Sequence, residues 1–150
     1  MFKYFTLEEL FHSDKAVSMG LDNDPRNILS VENSEIIITN ITRLVVEVLD
    51  PARELLGKPI SVSSGYRSEK LNKAVGGANT SQHLLGEAAD ITCYNNKYLF
   101  DIIKQNLIFD QLILEESTIN GKKVEWVHVS YRKGKNRKQA FRMQNGIVVK

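Results

Sequence analysis

The chain has a single cysteine, Cys93, so no disulfide can form within it and its stability must come from packing. It has only three histidines, His12, His83 and His128, so each must be accounted for. No apolar run approaches the roughly 18 residues that a membrane-spanning helix needs. The N-terminal stretch MFKYFTLEELFHSDK breaks its apolar residues with acids, unlike a secretory signal. The expectation is a product that is cytoplasmic as synthesised. Repeats and low-complexity segments are absent, and no acidic residue follows Glu125.

What remains is ordinary globular material. A length of 150 residues, 42% hydrophobic and 25% charged, fits one domain over 1–150. Thr6-Leu-Glu-Glu9 is a capping box and predicts a short helix to about Phe11, whereas His12 to Asn27 reads as loop. Ile37, Ile41, Leu44, Val45, Val48 and Leu49 recur at helical spacing. They predict one long amphipathic helix from Val31 to Gly57, with Pro51 kinking it or starting a new turn. Beyond Gly57 the pattern changes to strands at Ile60–Ser63, Ala88–Tyr94 (burying Cys93 as a small core residue), Asp110–Glu115 and Val124–Tyr131. Brief helices are expected at Ser68–Ala74 and Tyr98–Gln105. Turns are expected at Asn120-Gly121 and Asn145-Gly146, the second closing a C-terminal hairpin. The class is α+β, N-terminal helices packed on a small, mostly antiparallel sheet.

The net charge is only +2, but RKGKNRKQAFR, Arg132 to Arg142, carries six cations. Such a run is either a solvated hairpin or an attractor for a polyanion, nucleic acid or an anionic wall polymer.

Catalytic zinc sites commonly draw three ligands from His, Asp and Glu and leave a position for water. In SQHLLGEAADI, His83 and Asp90 flank Gly86, which lets the backbone reverse so that both side chains face one point. EWVHVS adds His128, with Glu125 three residues earlier. A carboxylate beside the metal could take a proton from bound water and pass it to a leaving amine. Each residue also has an ordinary reading. A lone histidine on a strand is more often hydrogen-bonded than metal-bound, and Glu125 and His128 point to opposite sides of a regular strand unless a bulge intervenes. An Asp in an apolar strand, as Asp90 is, does need a partner.

Ser81, His83, Gly86, Ala88 and Asp90 match every position of S-x-H-x-x-G-x-A-x-D. Glu125-Trp-Val-His128 matches an acid, two residues, then His, and SGYRS with Arg67 lies upstream. In this order the three segments, spanning about 60–131, resemble the zinc D-Ala-D-Ala peptidase family of carboxypeptidases, dipeptidases and phage L-alanyl-D-glutamate endopeptidases. The resemblance implies a hedgehog/DD-peptidase-like fold and one zinc ion held by His83, Asp90 and His128. It implies Glu125 as general acid/base and Arg67 as stabiliser of an oxyanion or substrate carboxylate. Ser81 would touch substrate or cap the His83 loop, and Trp126 would line the cleft or pack in the core. Gln111 and Glu115 could fix a ligand tautomer from the neighbouring strand, and His12 has no partner in the pattern. The expected function is hydrolysis of a peptide bond in the peptidoglycan stem peptide, as a phage or prophage endolysin reaching the wall after release. The basic stretch would assist adsorption to the wall. A D-Ala-D-Ala carboxypeptidase or dipeptidase, a noncatalytic zinc-stabilised module and, least favoured, a nucleic-acid binder are the alternatives.

Overall fold

The longest helical stretch supplies the scaffold. In the computed structural model, which describes residues 2–149, α4 (Val31–Leu44) runs through a π-helical turn (Val45–Leu49) into α5 (Asp50–Leu56). The widened turn sits just before Pro51, whose ring would clash with a carbonyl four residues back in a regular α-helix. Ser30 caps the start through Asn33 N–H, and Gly57, at φ 70°, ends the helix in the left-handed region. Ile37, Ile41, Leu44, Val45, Val48, Leu49 and Ala52 form its buried stripe, as their spacing predicts.

The capping box at Thr6 starts α1 (Leu7–Phe11) as expected. The following stretch is not all loop. It holds α2 (Asp14–Met19), capped by Ser13 and closed by Gly20, and α3 (Pro25–Ile28), capped by Asp24. Both helices are too short to show a periodic apolar pattern, so only their caps mark them. α6 (Glu69–Ala74) begins at the Ser68 cap, and α7 (Asn96–Asn106) at Asn95, slightly earlier than its apolar spacing suggests.

Six strands form one sheet in the order β1-β2-β4-β3-β5-β6: β1 (Ser61–Ser64), β2 (Ala88–Thr92), β3 (Gln111–Ile119), β4 (Lys122–Ser130), β5 (Gln139–Gln144) and β6 (Ile147–Val149). All neighbours are antiparallel except β3 and β5. Asn120 and Gly121 join β3 to β4 with φ of 50° and 77°, and Asn145 and Gly146 join β5 to β6 with 48° and 78°. These paired positive angles are what a two-residue hairpin turn requires. Cys93 lies just past β2 and is only partly buried.

The two faces of the sheet differ. Ala89, Ile91, Leu112, Leu114, Val127 and Val129 are buried in one apolar core with the helices. Asp90, Ile113, Glu115, Trp126 and His128 alternate with them and so line the other face.

Candidate metal centre

The His83 turn is held from several sides. Gln82–Leu85 form a 3₁₀ turn whose N-cap, Ser81, accepts the His83 backbone N–H at 3.2 Å. Gly86 ends the turn at φ 72°, and a Cβ there would meet the Ile37 carbonyl oxygen at 2.8 Å. Only glycine fits both the angle and the space. Asn40 of α4 donates to the Leu85 carbonyl at 2.8 Å, and Arg67 N–H donates to the His83 carbonyl.

The ring itself is oriented as a ligand. His83 Nδ1–H donates to the Gly65 carbonyl at 2.7 Å, which leaves the Nε2 lone pair facing Asp90. Gln111 or Glu115 was a candidate for fixing a ligand tautomer; for His83 a backbone carbonyl does so. On the strands, Asp90 pairs directly with His128 in the β2–β4 ladder, so their side chains share a face. Asp90 Oδ1 lies 3.5 Å from His83 Nε2 and 3.0 Å from His128 Nδ1. Ligands about 2.0 Å from a tetrahedral ion stand roughly 3.3 Å apart, so these separations fit zinc. Two imidazole nitrogens and one carboxylate oxygen are also the right donor chemistry. Among the described residues this is the group that could hold a metal.

The electrostatics agree. Burial would raise the Asp90 carboxyl, but His83 and His128 outweigh it and hold the group well below the usual carboxylate range. Asp90 therefore stays ionised and able to ligate.

Arg67 reaches the same place, as the SGYRS segment suggests. Its Nη2 lies 3.5 Å from Asp90 Oδ2, Nε donates to Ser64 Oγ at 3.1 Å and Nη1 to Asn72 Oδ1 at 3.2 Å. Burial pulls its pKa down, while Asp90 and Glu115 oppose the shift. The guanidinium stays charged because its ordinary value lies so far above neutrality. Asn72 and Asn23 went unnoticed in the sequence. Asn72 is buried, holds Arg67 and donates to the Ala78 carbonyl. Asn23 clamps the Phe11 and Tyr66 carbonyls and accepts Ser68 N–H, tying the helical end to the arginine segment. A single Asn in a loop, as Asn23 is, or in a six-residue helix, as Asn72 is, carries no spacing signal, so no pattern could have found either.

Glu125, expected as the acid/base, is placed away from the donors: β4 pairs without a bulge along both neighbours, so Glu125 lies on the opposite face from His128. It is exposed at that face's margin, where its carbonyl accepts from Asn96 at the start of α7. The carboxylate on the donor face is Glu115, paired with Trp126 and one step from Ile113, which stands opposite His128. Trp126 Nε1–H donates to Glu115 Oε2 at 3.2 Å, so this indole belongs to the site face and not to the core. Burial raises the Glu115 pKa, the Asp90 charge raises it further, and His128, the Trp126 bond and Arg67 offset part of this. DQLILE in a strand beside WVH was the available signal, since residues opposite each other in a ladder share a face.

The remaining candidates fall elsewhere. Gln111 donates through Nε2 to Gln139 Oε1 at 3.0 Å, not to a ligand. His12 is a surface residue beside Asp14. Two of the six cations are engaged internally. Arg132 binds the buried Glu87 at 2.9 Å, and Arg137 Nε and Nη2 bind the buried Asp110 at 2.9 and 3.0 Å. Gln82 bridges both acids, so the basic loop is fastened to the turn that carries His83. A groove of about 950 Å³ lies between α3, α4 and Tyr66–Lys70, yet of the site residues only Arg67 borders it. The donors face the sheet surface instead.

Residues 3–130 match the family model of peptidase M15. The chain belongs to the peptidase M15 family. A 44-residue segment is also 48% identical to the zinc D-Ala-D-Ala carboxypeptidase of Streptomyces albus G, covering 29% of this chain and 17% of that protein. The chain thus aligns with well under two thirds of that relative. As an M15 member, the protein carries a His-Asp-His centre of the kind that takes zinc, and its α+β architecture agrees with the family.

Proposed function

We propose that this M15 member is a zinc peptidase that hydrolyses a peptide bond in the stem peptide of bacterial peptidoglycan. The observation that carries the reading is the convergence of His83, Asp90 and His128 with Arg67 and a second carboxylate, Glu115. A purely structural zinc site needs neither of the last two. When bound, zinc supplies a Lewis acid and lowers the pKa of water toward neutrality. Glu115, whose pKa burial and the Asp90 charge raise, is suited to accept a proton from the attacking water and return it to the leaving amine. Trp126 keeps the Glu115 carboxylate oriented, and Arg67 offers a fixed cation to a developing oxyanion or a substrate carboxylate. Ser81, at the lip of the His83 turn, is a further substrate contact.

The finer assignment is an endolysin of a phage or prophage, made in the cytoplasm and acting on the wall after release. Lys133, Lys135 and Lys138, exposed and outside the Arg132 and Arg137 ion pairs, would add a salt-sensitive attraction to anionic wall polymers. The partial likeness to a D-Ala-D-Ala carboxypeptidase favours a second reading, exopeptidase action on the same stem. Mass analysis of fragments from defined muropeptides, with and without chelator, tests both. Release of an internal fragment supports the endopeptidase, release of terminal D-Ala the carboxypeptidase, and chelator-insensitive cleavage rejects a zinc mechanism.

A further inference from the structure

The sheet face that holds the donors continues past them. Asp90, His128, Ile113 and Phe141 stand side by side across β2, β4, β3 and β5. One row further along each strand, Trp126, Glu115, Met143 and Val148 cross β4, β3, β5 and β6. On the other side, Ser130 is followed by the Gln111–Gln139 pair. The helices pack on the opposite face, where Leu112, Leu114 and Ala140 join the core. Ile113 is buried but is not part of that core, and Phe141 and Met143 keep part of their surface exposed. The result is a shelf leading away from His128, on which Phe141 and Met143 present apolar surface beside the buried Ile113. Planar amides stand at one edge. The Gln111–Gln139 hydrogen bond uses one group from each amide, leaving Gln111 Oε1 and Gln139 Nε2 for a ligand.

An aromatic floor flanked by planar amides suits a pyranose ring. The C–H face of the sugar packs on the aromatic, and its hydroxyl and acetamido groups pair with the amides. We infer that this shelf binds the amino-sugar chain to which the stem peptide is attached, with Phe141 as the platform and Gln139 as the polar contact. The inference rests on the peptidoglycan reading, because the shelf is continuous with the donor row. It makes Phe141 a specificity-determining residue for glycan-linked over free stem peptide.

Two measurements on the zinc-loaded protein test it. In the first, a β-1,4-linked N-acetylglucosamine tetramer is titrated while backbone amide resonances are followed. The expected result is weak, saturable shifts centred on Gln111, Gln139 and Phe141 that are lost in Phe141→Ala and reduced in Gln139→Ala. In the second, kcat/KM is compared for stem peptide on a disaccharide and for the free peptide. The ratio should favour the glycan-linked form and fall about tenfold in Phe141→Ala. Folding of each variant is checked by its amide spectrum, and Gln139→Ala, at an exposed position, keeps the test open if Phe141→Ala misfolds. An unchanged ratio together with no saturable shifts on β3 and β5 overturns the shelf, while peptide cleavage leaves the peptidase reading standing. Saccharide binding on these strands with no stem-peptide cleavage does the reverse.

Discussion

The two faces of the sheet share one backbone yet do opposite work, and Glu115 and Glu125 show how. Both are carboxylates on adjacent strands, β3 and β4. Glu125 is at the margin of the face whose interior, Val127 and Val129, is sealed by helices. Glu115 is on the face where Asp90, His128 and Arg67 gather, half-buried with its oxygen held by Trp126. A one-residue change of register exchanges the two faces. Chemistry on this sheet is therefore a matter of parity along the strand.

The comparison breaks hardest at the donor face. Glu115→Gln should lower kcat by about 10²–10⁴ on a defined muropeptide while zinc content stays near one equivalent, whereas Glu125→Gln should stay within about twofold. A large loss in Glu125→Gln with Glu115→Gln active would reverse the assignment. His128→Ala should lose zinc, read by metal analysis after gel filtration, and a full equivalent retained would reject it as a ligand.

On the opposite face the effect is on stability. Leu112→Ala opens a cavity in the core and should cost about 2–5 kcal/mol in denaturant unfolding. An equal loss from the exposed Glu125→Ala would contradict the division between faces.

Between these lies the clamp at the sheet's end. Arg137 hydrogen-bonds Asp110 and holds its carboxyl below the usual carboxylate range. A depressed folded pKa contributes stability above the ordinary carboxylate value of about 4, lost as pH falls through the folded value. Arg137→Ala should cost about 1–3 kcal/mol at neutral pH and flatten the acid-side loss below about pH 4. An unchanged slope in acid unfolding would remove Asp110 from this role. The smallest effect belongs to the helices: Ser30→Ala removes the α4 cap and should cost about 1 kcal/mol by thermal unfolding.

Much of this was readable in the chain. The α4 stripe and the hairpin turns at Asn120-Gly121 and Asn145-Gly146 follow from local rules of spacing and turn chemistry, whereas the three candidate metal donors were marked by the resemblance of their motifs to a known family. Where those rules ran out, the missing information was non-local. Short helices such as α2 and α3 lack a period to detect, and the clamps by Asn23 and Asn72 join segments far apart in sequence.

By itself, then, the sequence determined which residue types were on hand and where the backbone could turn. The Gly86 reversal was legible because turn chemistry is a local property, and His83, Asp90 and His128 stood out as candidate donors through two short motifs that resemble a known family in order and spacing. Which carboxylate stands beside them was decided only when β3 paired with β4 in a bulge-free register. That register depends on which strand residues the helices bury, a property of the whole core and not of the ExxH spacing.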